Sequence, residues 1–204
     1  MKEKIIKYLK ICYQSFIWLF VVLLGLDILT KQIILHSGVE APGLVADWKF
    51  VHISYVQNPN AAFGLGANNP VVSRIIYLVV ASLVSIAIVT YLIIKRKETK
   101  LYIRACLVLI VTGALGNMID RIFYKASNYC VVDWIDFYWF WPFVFNIADC
   151  CIVIAAFMLI IYFIVGEVKE FNEKRKNEMP QGKVLSKTEK ERLEAENQEE
   201  EKSE

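Results

Sequence analysis

Three aspartates lie in one of the most aromatic and apolar stretches of the chain, residues 131–150, which read VVDWIDFYWFWPFVFNIADC. They are Asp133, Asp136 and Asp149, and the stretch leads into a hydrophobic run that continues to about Val165. A carboxylate placed in a membrane helix costs about 2.5–3.5 kcal/mol at the bilayer centre and less near the interface, so it is a candidate functional group. Two carboxylates on one site push their pKa values apart, which suits them to acid–base chemistry. We therefore take Asp133 and Asp149 as the candidate pair.

Membrane helices are the elements that must position this pair. The 204 residues are 56% hydrophobic and contain four long apolar runs, which is typical of a polytopic membrane protein. The predicted spans are about Ile11–Leu35, Val71–Ile94, Leu101–Ile119 and Phe143–Val165. A cleaved signal peptide is the alternative for the first run, but that run is long enough to span, and no small-x-small cleavage site follows it.

Lysine and arginine predict the orientation of the four spans. Four of them lie in residues 1–10, five in 95–104 and four in 167–176, but only one in 36–70 and one in 122–142. The positive-inside rule then places both termini in the cytoplasm.

With this orientation, the polar residues of the helices gather near the outer face. Asp27 and Lys31 end the first span, Asn117 and Asp120 end the third, Asn146 and Asp149 begin the fourth, and Asp133 lies on the same side. A site just below the outer surface would sort them in this way, whereas scattered packing groups would not.

Two of these groups leave alternatives open. Asp27 and Lys31 are four residues apart, which fits either an intramembrane ion pair or a role in holding a substrate or its lipid. Asn117 and Asp120 share a helix face with Gly113, and this face fits either helix packing or the site. Gly113 and Gly116 would let another helix approach closely.

The two outer connections predict a small β element. Trp48–Val56 partly alternates and predicts one strand, and Tyr129–Trp134 predicts a second, short one. The segment QNPNAAFGLG, which contains Asn58 and Asn60, is predicted to be a loop. The fold class is thus an all-α polytopic membrane protein with four transmembrane helices and an extramembrane β element on the periplasmic side.

Composition divides the chain into two predicted regions. Residues 1–166 form the membrane domain, and residues 167–204 are a charged cytoplasmic tail, predicted to be disordered or a transient helix. The five cysteines show no CxxC, and their odd number with an adjacent pair argues against a disulfide framework. His36 and His52 are the only histidines, and we expect no metal and no cofactor.

A transporter or channel is the main rival function, because buried carboxylates and lysines also serve proton relays. That function predicts polar residues throughout the depth of the bilayer rather than at one face. A membrane redox protein, which would use the Cys150–Cys151 pair, lacks a CxxC, a haem motif and a histidine pair.

Five motifs in order give the chain a family resemblance. They are DILTK with Asp27 and Lys31, NPNAAFG with Asn58, GALGNMIDR with Asn117, Asp120 and Arg121, VVDW with Asp133, and FNIAD with Asn146 and Asp149. In these motifs, from about residue 20 to 165, the chain resembles the lipoprotein signal peptidases (signal peptidase II), four-span aspartic proteases of the bacterial inner membrane. One departure is Asn60, where the family usually has glycine.

The resemblance implies that the protein removes the signal peptide of a prolipoprotein, cleaving just before a cysteine that carries diacylglycerol. It places the catalytic dyad on Asp133 and Asp149, with the other motif residues in supporting or substrate-binding roles. One aspartate would take a proton from water while the other, protonated, binds the scissile carbonyl, and either could hold the resting proton. The implied partners are the lipidated substrate and membrane lipid, with no nucleic acid. The protein is expected to be a monomer with its site near the periplasmic face.

Overall fold

Four long helices dominate the computed structural model, which describes residue 6 and residues 15–59 and 69–178. The helices are α1 (Ile17–Leu35), α2 (Pro70–Ile94), α3 (Leu101–Phe123) and α4 (Ile147–Glu178). Each contains a stretch long and apolar enough to cross a membrane. The predicted four-span architecture is confirmed.

The helix boundaries differ from the predicted spans for local reasons. Helix α2 begins one residue early, because the Asn69 side chain accepts hydrogen bonds from the amides of Val71 and Val72, and Pro70 occupies the first helical position. The predicted start of the first span at Ile11 lies outside the described residues. Helix α3 continues past Ile119 to Phe123, and the two polar residues in that extension, Asp120 and Arg121, are buried and hydrogen-bonded.

The last helix was predicted to begin near Phe143 and begins instead at Ile147. Its other end also lies further along the chain, since α4 continues to Glu178, past the predicted domain boundary at residue 166. The chain divides at Ile160 into two compact units. In the second unit, residues 161–178 are helical and residues 179–204 lie outside the described part, so the disordered tail stays a prediction.

A four-stranded antiparallel sheet connects the helices. Its strands are β1 (Gly43–Asp47), β2 (His52–Asn58), β3 (Val131–Asp136) and β4 (Val144–Phe145), in that spatial order. The predicted strands correspond to β2 and β3, each displaced toward the C-terminus. Strands β1 and β4 were not predicted, and β4 occupies residues assigned to the fourth span. The predicted β element is confirmed and is larger than expected.

Strands β2 and β3 are paired neighbours, and they hold Asn58 and Asp133 close to each other. Asn58, at the end of β2, pairs in register with Val131, and Val56 pairs with Asp133. The sheet is anchored on α1 by a buried cluster of Ile34, Tyr55 and Val132. Asn58 therefore belongs to a strand end, not to the loop in which the sequence placed it.

Helices α3 and α4 cross closely at two glycines, as the sequence predicted. A Cβ atom at Gly113 would collide with the carbonyl oxygen of Ala148, and one at Gly116 would lie 2.6 Å from the Asp27 carboxylate and 2.9 Å from the Ala148 side chain. Below this crossing, Leu109, Cys151 and Ala155 form a buried core. The absence of side chains at the two glycines lets α4 approach α3 and α1 closely enough for polar contacts.

Candidate active site

Asp133, on strand β3, is buried, with 2% of the residue exposed. Each of its carboxylate oxygens accepts one side-chain hydrogen bond. The Asn58 amide donates to Oδ2 at 2.9 Å, and the Asn146 amide donates to Oδ1 at 2.6 Å. Strand β2 and the start of α4 thereby fix the carboxylate that β3 supplies.

Asp149 lies in the first turn of α4 and forms a capping box with Asn146. The Asn146 side-chain oxygen accepts from the Asp149 backbone amide at 2.9 Å, and the Asp149 carboxylate accepts from the Asn146 backbone amide at 3.3 Å. Because a helix N-terminus carries partial positive charge, this position also favours a carboxylate. The sequence predicts only that the two residues begin the fourth span, but their spacing of three residues is also that of a capping box.

Asn146 therefore contacts both aspartates of the candidate pair. Its side chain donates to Asp133 and caps the turn that carries Asp149. The same amide nitrogen also lies 3.1 Å from the Asn117 oxygen. One buried side chain thus fixes the spacing of the two carboxylates.

Asn117 joins the pair to a second cluster of charges. Its amide nitrogen donates to Asp149 Oδ1 at 2.7 Å, and its oxygen accepts from the Lys31 ammonium at 3.0 Å. The backbone carbonyl of Asn117 accepts from Arg121 at 3.0 Å, and the Arg121 guanidinium stacks 4.4 Å from the Tyr77 ring centre. These contacts set the orientation of the asparagine on α3.

Lys31 is completely buried, and its ammonium has three acceptors. It lies 2.8 Å from Asp27 and 3.0 Å from Asp120, in addition to its contact with Asn117. An ammonium has three N–H donors, so these acceptors can satisfy all of them. Of the two alternatives for Asp27 and Lys31, the structure contains the ion pair, and a second carboxylate, which the sequence did not assign to it, completes the cluster.

Each carboxylate of this cluster also binds a backbone amide. Asp27 accepts from the Ala148 amide at 2.9 Å, and Asp120 accepts from the Val132 amide at 3.2 Å. Ala148 and Val132 are the residues directly before Asp149 and Asp133. The sequence leaves two partners open for Asp120, Arg121 or a loop amide, whereas the amide that it binds belongs to strand β3.

All nine predicted site residues thus lie in one region, and several face a common cavity of about 360 Å³. Its polar lining consists of Gln57, Asn58, Asn117, Arg121, Asp133 and Asp149, and its apolar lining includes Val56, Pro142, Phe143 and Ile152. Both carboxylates of the candidate pair can therefore be reached from this cavity.

The surroundings of Asp133 favour its protonated form. Its pKa is raised from the usual range to about 7, first by burial and second by the neighbouring carboxyl group of Asp149. The amide donors of Asn58 and Asn146 and the charge of Lys31 oppose this rise. Near neutral pH a proton can therefore reside on the carboxyl pair.

Other residues considered in the sequence lie outside this network. Asp136 accepts from the Ser54 hydroxyl at 3.0 Å on the sheet, and His52 pairs with Asp47 at 3.1 Å. The described cysteines are Cys106, Cys130, Cys150 and Cys151, and all four are free. Within residues 15–59 and 69–178, no three His, Cys, Asp or Glu side chains are placed to hold a metal ion. Asn60 lies outside the described residues.

Known proteins show the same sequence pattern and fold. A family model described as signal peptidase (SPase) II matches residues 19–165. The lipoprotein signal peptidase of Clostridioides difficile is 36% identical over 154 residues, which cover 76% of this chain and 97% of that protein. The Haemophilus influenzae lipoprotein signal peptidase is 34% identical over 164 residues, covering 79% of this chain and 92% of that protein.

A bacterial membrane enzyme solved by the in meso method at 2.3 Å resolution has a similar fold. It superposes with a TM-score of 0.61 and 25% identity, covering 81% of this chain and 92% of that chain. A second such structure, at 1.9 Å resolution, gives a TM-score of 0.60 and 27% identity over 72% of this chain and 90% of that chain.

Proposed function

Since the chain belongs to the signal peptidase II family, we propose that it removes the signal peptide from lipid-modified precursor proteins by aspartic-protease chemistry. Asp133 and Asp149 are the catalytic pair. The cut falls just before the cysteine that carries diacylglycerol.

One observation supports this proposal more than any other. Asp133 and Asp149, from a strand and a helix separated in the sequence by an aromatic linker, are bound to the same asparagine and face the same cavity. Structural carboxylates would be neutralised by a cation, as Asp27 and Asp120 are by Lys31. This pair instead contacts neutral amide donors, which position it and leave room for a shared proton.

The reaction follows from the protonation of the pair. The ionised carboxylate takes a proton from a water molecule, and the resulting hydroxide equivalent attacks the scissile carbonyl carbon. The protonated carboxyl hydrogen-bonds the carbonyl oxygen and stabilises the negative charge that develops on it. When the tetrahedral intermediate collapses, the C–N bond breaks and the leaving amine takes a proton from the pair. Burial and the neighbouring Asp149 carboxyl group raise the pKa of Asp133, which favours one shared proton on the pair.

The site lies at the ends of the helices rather than at their centres. Lys31 and Asp120 lie in the last two turns of α1 and α3, and Asp149 lies in the first turn of α4. With both termini in the cytoplasm, as the distribution of lysine and arginine predicts, these ends face the periplasm. We place the enzyme in the bacterial inner membrane, acting as a monomer near the outer surface, where a lipidated precursor presents its cysteine.

Cleavage of a synthetic lipidated precursor by the purified protein tests the proposal. Asp133→Asn and Asp149→Asn should each lower turnover by at least about 100-fold, because a general acid or base contributes about 10²–10⁴ and an amide cannot take up the proton. Asp136→Asn is the matched control: it makes the same change on the same strand, at a carboxylate bound to Ser54. It should stay close to wild type.

The metal chelator EDTA provides a second arm of the experiment, and wild-type turnover should be unchanged by it. Near-normal turnover by either dyad variant, or loss of wild-type activity in EDTA, would contradict aspartic catalysis. All variants should insert and accumulate, since asparagine is nearly isosteric with aspartate.

A further inference from the structure

An apolar groove lies at the opposite end of the helices from the aspartate pair. It has a volume of about 460 Å³ and is enclosed by the start of α1, the end of α2 and the start of α3. Phe20, Leu92 and Val108 are among the side chains that line it. The groove extends along α3 from Arg104 to Leu115, and none of its lining residues also lines the cavity at Asp133 and Asp149. The groove is therefore separate from the proposed catalytic cavity.

Two arginines line the groove at the end formed by the turn between α2 and α3. Arg96 is exposed, whereas Arg104 is half-buried and donates hydrogen bonds to the backbone carbonyls of Arg96 and Thr99, at 2.5 Å and 3.0 Å. These bonds fix the turn at the mouth of the groove. The same turn carries further cations, Lys95, Lys97 and Lys100.

We propose that this groove binds an anionic phospholipid, with its acyl chains against the apolar walls and its phosphate at Arg96 and Arg104. The walls belong to helices that cross the membrane, so the groove opens to acyl chains rather than to water. Its volume lies within the range of about 300–1,000 Å³ that is common for small-molecule sites. Basic pockets between transmembrane helices are typical sites for anionic headgroups. This proposal goes beyond signal-peptide cleavage and does not depend on it.

The headgroup contact is tested by native mass spectrometry of the full-length protein released from nanodiscs. The discs contain either phosphatidylglycerol or phosphatidylcholine, and the measurement counts the lipids retained per protein. Arg96→Gln should lower retained phosphatidylglycerol about tenfold at subsaturating lipid, because it removes a charge-assisted hydrogen bond to the lipid phosphate. Lys97→Gln is the control, because Lys97 is adjacent and exposed but does not line the groove.

The acyl-chain contact is tested with two neighbouring isoleucines. Ile93 and Ile94 are 72% and 71% exposed, but only Ile93 lines the groove. Ile93→Trp should fill the groove and abolish the selective retention of phosphatidylglycerol, whereas Ile94→Trp should leave it unchanged. Both substitutions are at lipid-facing positions, so neither should disturb the folded helices.

Three results would overturn the proposal. One is equal retention of phosphatidylcholine and phosphatidylglycerol by wild type, and another is an equal loss in Arg96→Gln and Lys97→Gln, which would indicate a general surface attraction. The third result would come from photo-crosslinking, with a photoreactive amino acid at position 93 in the full-length chain. Adducts with phospholipid support the proposal, whereas adducts with residues 1–14 would show that the chain's own N-terminal segment occupies the groove. None of these measurements uses the peptidase reaction, so their failure leaves the catalytic proposal untouched.

Discussion

Replacing Asn58 with alanine removes one of the two side-chain amide donors to Asp133, the one 2.9 Å from Oδ2. That hydrogen bond stabilises the ionised carboxylate and opposes the effects that raise the Asp133 pKa to about 7. A hydrogen bond to a charged group is worth about 1.5–3 kcal/mol, and each 1.36 kcal/mol corresponds to 1 in pKa. Asn58 lines the cavity, so water can enter the vacated space and offset part of the loss. We therefore expect the pKa to rise by about 1.

The sign of this change appears in the pH profile of kcat/KM. The active form holds one proton on the pair, and the alkaline limb marks the loss of that proton. Asn58→Ala destabilises only the ionised form of the Asp133 carboxyl group. It should therefore move the alkaline limb upward by about one pH unit, independently of its effect on the maximum rate. The assay is cleavage of a fluorogenic lipidated precursor between about pH 5 and 10.

Gln57→Ala is the control for that assay. Gln57 is the neighbouring amide on the same strand and lines the same cavity, but it donates to Tyr55 at 2.8 Å. Its alkaline limb should match that of wild type. An Asn58→Ala limb that stays in place or moves downward would refute the assignment of the raised pKa and of the proton to the pair.

Two further predictions concern stability in detergent, measured by thermal unfolding. Lys31→Met should lower the free energy of unfolding by about 3–5 kcal/mol, because it leaves Asp27 and Asp120 buried without their cation. Adding Asp27→Asn should recover part of that loss. An unchanged Tm in the single variant would contradict the buried cluster. Gly116→Ala should lower the free energy of unfolding by about 1–3 kcal/mol, because its Cβ would lie 2.6 Å from the Asp27 carboxylate. Gly25→Ala is the control and should not destabilise the protein, because a Cβ at Gly25 has nothing within 4 Å. Equal effects at the two glycines would contradict the close crossing.

Short-range spacing in the sequence predicted part of the candidate site. Asp27 and Lys31, four residues apart on a helix, were predicted to allow an ion pair, and they form one at 2.8 Å. The sequence also placed Asn117 and Asp120 at the same end of the protein. Their contact with Lys31 depends on how α1 and α3 are rotated against each other, and periodicity alone does not determine that rotation.

The irregular segment before α4 shows why other features were missed. Val144 and Phe145 continue the apolar run of the fourth helix, so hydropathy assigned them to the span although they form β4. The pattern that marks the helix start is Asn146 followed three residues later by Asp149, which form a capping box. It was missed because the span was predicted to begin three residues before Asn146, at Phe143. Strand β1 has five residues and is paired along one edge only. So short a segment contains too few residues to show a clear alternation of apolar and polar side chains.

The position of Lys31 affects the insertion of the first span into the membrane. Asp27 is on the same helix, so the first span enters the bilayer with its lysine already paired, long before Asp120 is synthesised. An unpaired lysine at that stage would add to the cost of insertion. The arrival of α3 then adds a second carboxylate and the Asn117 oxygen to an ammonium that is already in place. These contacts of Lys31 with Asp120 and Asn117 join α1 to α3, so they form only when the two helices pack together.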